Sequence, residues 1–162
     1  MAKIIITGLE NVTPAIKRKI AQSIAKSNFA DQMTVELRDE IQENGIGDDL
    51  TLKTIFNRIR LEQYNETDPK YVAGFSNLTF TGKLLKSLKT KFVTSKLIFN
   101  ILSSDKRHPK YKKGGKSSAS MNQIFEYQKK YNRDIGKVFE RKSFTDKLSQ
   151  LLRDSIYKFY KN

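Results

Sequence analysis

The chain has no cysteine and no tryptophan, only three prolines, and a single histidine, His108. Without cysteine there can be no disulfide framework, zinc finger or thiol nucleophile. One histidine with no cysteine beside it is a poor start for a transition-metal site. His108 lies between Arg107 and Pro109 and reads as a loop residue with no chemical role. No apolar run approaches the 18 or so residues of a membrane span. The apolar stretch near the start, Ile4-Ile5-Ile6, is too short for a secretory signal. The expectation is a soluble chain made in the cytoplasm, with no membrane partner. The Asn-x-Thr triplets at Asn11, Asn65 and Asn77 then carry no weight as glycosylation sites.

Acidic residues are scarce in one half only. Residues 1–80 hold 10 Lys+Arg against 11 Asp+Glu, a net of −1. Residues 81–162 hold 21 against 6, a net of +15. Such a partition points to a polyanionic or acidic neighbour for the second half. The plain alternative is a lysine-rich solvated surface that aids solubility.

At 162 residues the chain suits one domain, 1–162, with a real core. Ten phenylalanines make that core aromatic-rich. Residues 3–7 are β-branched and predict a short strand. Thr13-Pro14 reads as an N-cap and first-turn proline, opening a helix over 14–27 with Ile16, Ile20 and Ile24 on its apolar face. Met33, Leu37 and Ile41 mark a second helix over 31–44, ended by Gly45. Leu52, Ile55, Phe56 and Ile59 mark a third over 49–62, behind the acidic start Asp48-Asp49. Residues 1–63 are thus mainly helical, and 64–80 read as a loop.

Periodicity then switches. After one helical turn at 83–87, Leu88, Thr90 and Phe92 alternate with Lys89, Lys91 and Val93. With 96–102 this predicts a β-hairpin over 81–102, turning at Thr94-Ser95. Residues 103–120 form a basic, Gly/Ser-rich stretch that reads as a loop ordered only by a partner. Helical spacing returns over 121–131, and Gly136 marks a connector. Ser143-Phe144-Thr145-Asp146 resembles a capping box opening a terminal helix through Leu148, Leu151, Leu152, Ile156 and Phe159. The expected fold class is α+β: N-terminal helices and a long C-terminal helix packed on a small antiparallel sheet containing the hairpin.

Signals for catalysis are weak. Asp39, Glu40 and Glu43 fall on the polar side of a helix, and Asp48 and Asp49 at a helix start, where acids are expected anyway. Lys113-Gly114-Gly115-Lys116-Ser117 is a superficial phosphate-loop ending without the upstream glycine. No catalytic residue, metal ligand or cofactor site is nominated, and the expectation is a binding or structural protein. The stronger candidate is a contact for a polyanion or a subunit interface: Lys106, Arg107, Lys110, Tyr111, Lys112, Lys113 and Lys116. Lysine and arginine neutralise phosphates, and tyrosines can stack on bases. Tyr127 and Tyr131, four apart, read first as packing residues.

One pattern is more specific. Thr81-Gly82-Lys83-Leu84-Leu85-Lys86-Ser87-Leu88 leads into the hairpin. Ile124-Phe125-Glu126-Tyr127, Arg133-Asp134-Ile135-Gly136-Lys137-Val138-Phe139 and a terminal amphipathic helix follow. This order resembles the tail-completion and virion-morphogenesis family of tailed bacteriophages, the minor neck proteins between head and tail. Thr81, Gly82, Leu85 and Ser87 are the residues that the resemblance assigns to its Thr-Gly-x-Leu-x-x-Ser-Ile/Leu segment. The chain departs from the family in reading Tyr127-Gln128-Lys129 after the glutamate, and in lacking a proline near 134. The resemblance implies a structural role without a cofactor, in a ring of copies, six-fold or, at the connector, twelve-fold. Connector or stopper and tail-tube proteins would be partners, with DNA a neighbour in the channel. The product would be made in the host cytoplasm and end in the virion. The rival reading is a nucleic-acid-binding protein using residues 81–162; a nuclease is a third, for which no carboxylate stands out.

Overall fold

The computed structural model describes residues 3–47, 51–52, 56, 83–103, 107–113 and 117–161. Its elements are β1 (Lys3–Ile5), α1 (Pro14–Lys26), α2 (Phe29–Asn44), α3 (Lys83–Lys86), β2 (Leu88–Val93), β3 (Ile98–Ser103), β4 (Arg107–Lys113), β5 (Ser117–Ser120), α4 (Met121–Gln128) and α5 (Lys142–Lys161). The class is α+β, as the sequence predicts.

Helix α1 opens as expected: the Thr13 hydroxyl accepts from the Ile16 N–H and Pro14 takes the first helical position. Ile20 and Ile24 are buried, whereas Ile16, in the first turn, stays exposed. A tight corner follows. The Ser27 hydroxyl donates to the Ile24 carbonyl and accepts from the Phe29 N–H. That corner lets α2 begin at Phe29, two residues before the expected start. Phe29, Met33, Leu37 and Ile41 then form one fully buried row at spacing four.

The sheet order is β1-β3-β2, antiparallel throughout. Central β3 pairs Phe99 with Ile4 on one side and Phe92 on the other. Phe29 meets Phe99 edge-on, with ring centroids 5.3 Å apart. The β2–β3 connection is longer than the two-residue turn expected. A 3₁₀ turn over Thr94–Lys96 is followed by Leu97 in the left-handed region, because Thr94-Ser95 offers no glycine or asparagine for a tight turn.

The free edge of β2 is closed by α2. The Thr34 hydroxyl accepts from the Thr90 N–H at 2.9 Å, and Arg38 donates to the carbonyls of Lys86 and Leu88. A side chain thus takes the place of the next strand, which removes an edge prone to pairing with other chains. Helix α5 packs across α1 and α2, and its Phe144 and Leu148 are buried. One buried cluster joins residues from Ile20 to Leu148.

Two local expectations change. Helix α5 starts at Lys142, so Ser143 lies inside it rather than capping it. The capping box stands at Ser120 and Gln123 instead, each side chain bonded to the other's backbone N–H, at the start of α4. The connector over 132–142 is largely a 3₁₀ helix, Ile135–Glu140, that buries Ile135 and Val138. In the expected third helix, Leu52 and Phe56 are helical but exposed, Thr51 is described but not helical, and the rest lies outside the described residues, as does the loop expected over 64–80.

Candidate functional site

Within the basic stretch over 103–120, read from the sequence as a loop, residues Arg107–Lys113 and Ser117–Ser120 form a hairpin. Strands β4 and β5 pair antiparallel, with Arg107 opposite Ser120, Lys112 opposite Ser118 and Lys113 opposite Ser117. The register shifts between Arg107 and Lys112. Pro109 falls in that interval, and a residue without an N–H is tolerated in a strand at such an irregularity. Ladder bonds use backbone groups, so serines and lysines can pair without an apolar stripe. That is why composition alone suggested disorder. Lys110, Tyr111 and His108 lie within β4. Lys106 and Lys116 lie outside the described residues, as do Thr81, Gly82, Asp48 and Asp49.

The hairpin is rooted in the body at its second strand. Ala119 is buried, and Ser120 caps α4. The phosphate-loop-like segment 113–117 joins two strands of this hairpin, whereas a phosphate loop joins a strand to a helix N-terminus. Of the segment Thr81 to Leu88 that carries the resemblance, the described part contributes to the core: Leu84 and Leu85 are buried, and the buried Ser87 hydroxyl donates to the Leu84 carbonyl at 2.6 Å. Leu88, fully buried, then starts β2.

At the end of α4, Tyr127 is half-buried and Tyr131, in the turn that follows, is exposed. Tyr127 and Tyr131 meet edge-on, with centroids 5.6 Å apart and hydroxyls 3.1 Å apart. The hydroxyl contact with Tyr127 pushes the Tyr131 phenol above its ordinary value. Lys130 stands over the Tyr127 ring and the Arg133 guanidinium over the Tyr131 ring, 5.5 and 5.1 Å from their centroids. Lys161 stands likewise over exposed Tyr157. Cations over aromatic faces on a net-positive surface can hold an anionic, planar group. Spacing four located the pair; its exposure was not legible in the sequence.

The carboxylates of α2 are more engaged than their polar helix face suggested. Glu40 accepts from Arg141 at 2.6 Å, and Arg141 also donates to the Gly45 carbonyl at 2.7 Å. Glu36 pairs with Lys147, which holds the Lys147 ammonium above its ordinary value, with smaller contributions from Glu43 and Asp39. Among the described residues, no group of three or more side chains could hold a metal ion, and no helix is long and apolar enough to cross a membrane. An open groove of about 500 Å³ lies between the α1–α2 corner and α5, lined by Lys26, Asn28, Gln32, Asp154 and Lys158 among others. Its charges are of both signs, which selects no ligand class. No protein-family model, curated protein or solved structure matches this chain.

Proposed function

We propose that the chain is a structural subunit of a tailed-phage virion, joining or completing the tail at the head–tail neck by forming a ring without a cofactor. The observation that carries this reading is the order of parts. A buried anchor, Leu85, Ser87 and Leu88, leads straight into one hairpin. A second hairpin follows, with Arg107, Lys110, Lys112 and Lys113 on its first strand, and then the terminal helix. A hairpin is a partly preorganised arm, so docking it costs less ordering entropy than docking a disordered loop. This replaces the expectation that the segment orders only on assembly. Connector and tail-tube proteins are the partners on this reading, and a ring of six, or of twelve at the connector, is its assembly. The test is replacement of Lys110, Lys112, Lys113 and Lys116 by glutamate in the phage. Unjoined heads and tails in electron micrographs are expected; normal infectious particles would remove the proposal.

A second reading, nucleic-acid binding by residues 81–162, is favoured by the pair of half-buried Tyr127 and exposed Tyr131 with Lys130 and Arg133 over its rings. It requires binding to DNA or RNA that weakens steeply with added salt, because released counterions drive it. No binding at about 50 mM salt discards it.

A further inference from the structure

We infer that copies of this chain associate head to tail, the acidic stripe of α2 on one copy seating on the outer, lysine-bearing face of the three-stranded sheet on the next. The inference takes its occupant, a second copy, from the ring reading above, and assigns the two surfaces.

Side chains alternate across a strand, so the sheet has two distinct faces. The inner one carries Ile4, Phe92, Phe99 and Ile101 into the core. The outer one carries Lys3 and Lys91 on either side of Asn100, and Lys89 beside Leu102. The three lysines are exposed, as are Ile5 at 57% and Leu102 at 40%. None of the three strands contains an acid. Ile98 and Val93 share this face, Ile98 buried, so the open part is the exposed lysines with Ile5 and Leu102, its charges of one sign.

Helix α2 is its complement. It contains five acids and one base, Arg38, and Arg38 is turned to the edge of β2. Lys147 and Arg141 take Glu36 and Glu40. The other three, Asp31, Asp39 and Glu43, are exposed and lie at multiples of four, with exposed Val35 between the first two. Asp31 and Asp39 are about 12 Å apart along the helix, at a rise of about 1.5 Å per residue. Lys3 and Lys91, two strands apart, stand about 10 Å from each other, at about 4.8 Å per strand. The triplet Asp31-Val35-Asp39 thus matches the row Lys3-Asn100-Lys91 in both span and sign.

The match cannot be satisfied within one copy. Thr34 and Arg38 hold α2 against the edge of β2, one helical step round from the stripe. The net charge of +14 opposes approach of two copies elsewhere. The α2 stripe is a place where approach is favourable. Two different patches meeting make a heterologous contact, which closes into a ring or runs on as a filament.

The test measures oligomer size by sedimentation velocity across protein concentration, for the full chain and two charge-reversed variants, D39K/E43K and K89E/K91E. Circular dichroism verifies folding, and the milder K89Q/K91Q pair serves if K89E/K91E fails to fold. Each variant alone should weaken association roughly tenfold or more. Mixing the two should restore it, since each then supplies the sign the other lost. Oligomers indifferent to these changes overturn the interface and leave the neck reading standing. A wild-type chain that stays monomeric throughout also overturns the interface, and the neck reading is then judged by particle joining in the phage.

Discussion

Arg141 reaches across the chain to Glu40, its Nη1 2.6 Å from the carboxylate oxygen, while its Nη2 donates to the Gly45 carbonyl. One planar guanidinium therefore fixes the last turn of α2 to the start of α5. Lysine, a point charge, cannot make both bonds at once. Arg141→Lys should lower unfolding free energy by roughly 1–2 kcal/mol in urea titrations. A double-mutant cycle with Glu40→Gln should show coupling; additive effects would mean the pair acts independently.

The edge closure of β2 makes a second prediction. Thr34→Val keeps the shape but leaves the Thr90 N–H without its acceptor. The cost should be about 1–3 kcal/mol, the range for a buried donor left unmade. Amide exchange at Thr90 should accelerate more than at Ile101, its partner in the ladder.

Gly47 is under two constraints. Its φ is +75°, and a Cβ there would lie 2.5 Å from the Arg133 Cγ and 2.7 Å from the Asn132 carbonyl oxygen. Gly8 has φ +82° with open space around it. Gly8→Ala should cost only the left-handed penalty, about 1–2 kcal/mol. Gly47→Ala should cost more, because backbone must move as well. Equal losses in thermal unfolding would refute the close approach.

The relocated capping box is tested by two serines. Ser120→Ala should destabilise by about 1 kcal/mol, as loss of an N-cap does. Ser143→Ala, at an exposed position inside α5, should stay within about 0.5 kcal/mol of the wild type. The reverse ranking would return the cap to Ser143.

The tyrosine pair gives a pH dependence. The Tyr131 phenol is raised from 10.0, first by its hydrogen bond with Tyr127 and then by the charge Tyr127 acquires. The fold therefore favours neutral Tyr131. This contribution is complete below the ordinary tyrosine value and is lost as pH rises through the higher folded one. Ultraviolet titration of Tyr127→Phe should show Tyr131 ionising at lower pH than in the wild type. An unchanged titration would mean the hydroxyl contact is not made in solution.

Sequence by itself determined what depends on neighbours in the chain. Ile20 and Ile24, Met33 and Leu37, and the alternation from Leu88 to Val93 declared their elements because helix and strand periods are local properties. Thr13-Pro14 declared a helix start for the same reason, and the charge partition between the halves was complete in the composition. Only the tertiary structure decided what meets what. It paired Ile4 with Phe99, set Thr34 on the edge of β2, and joined Arg141 to Glu40. It also turned the basic stretch into β4 and β5, through backbone bonds that leave no hydrophobic period to read. Tyr127 and Tyr131 show the division within one site: their spacing was written in the chain, but their exposure depends on how α4 lies against the core. For such amphipathic side chains, burial is set by residues distant in the chain.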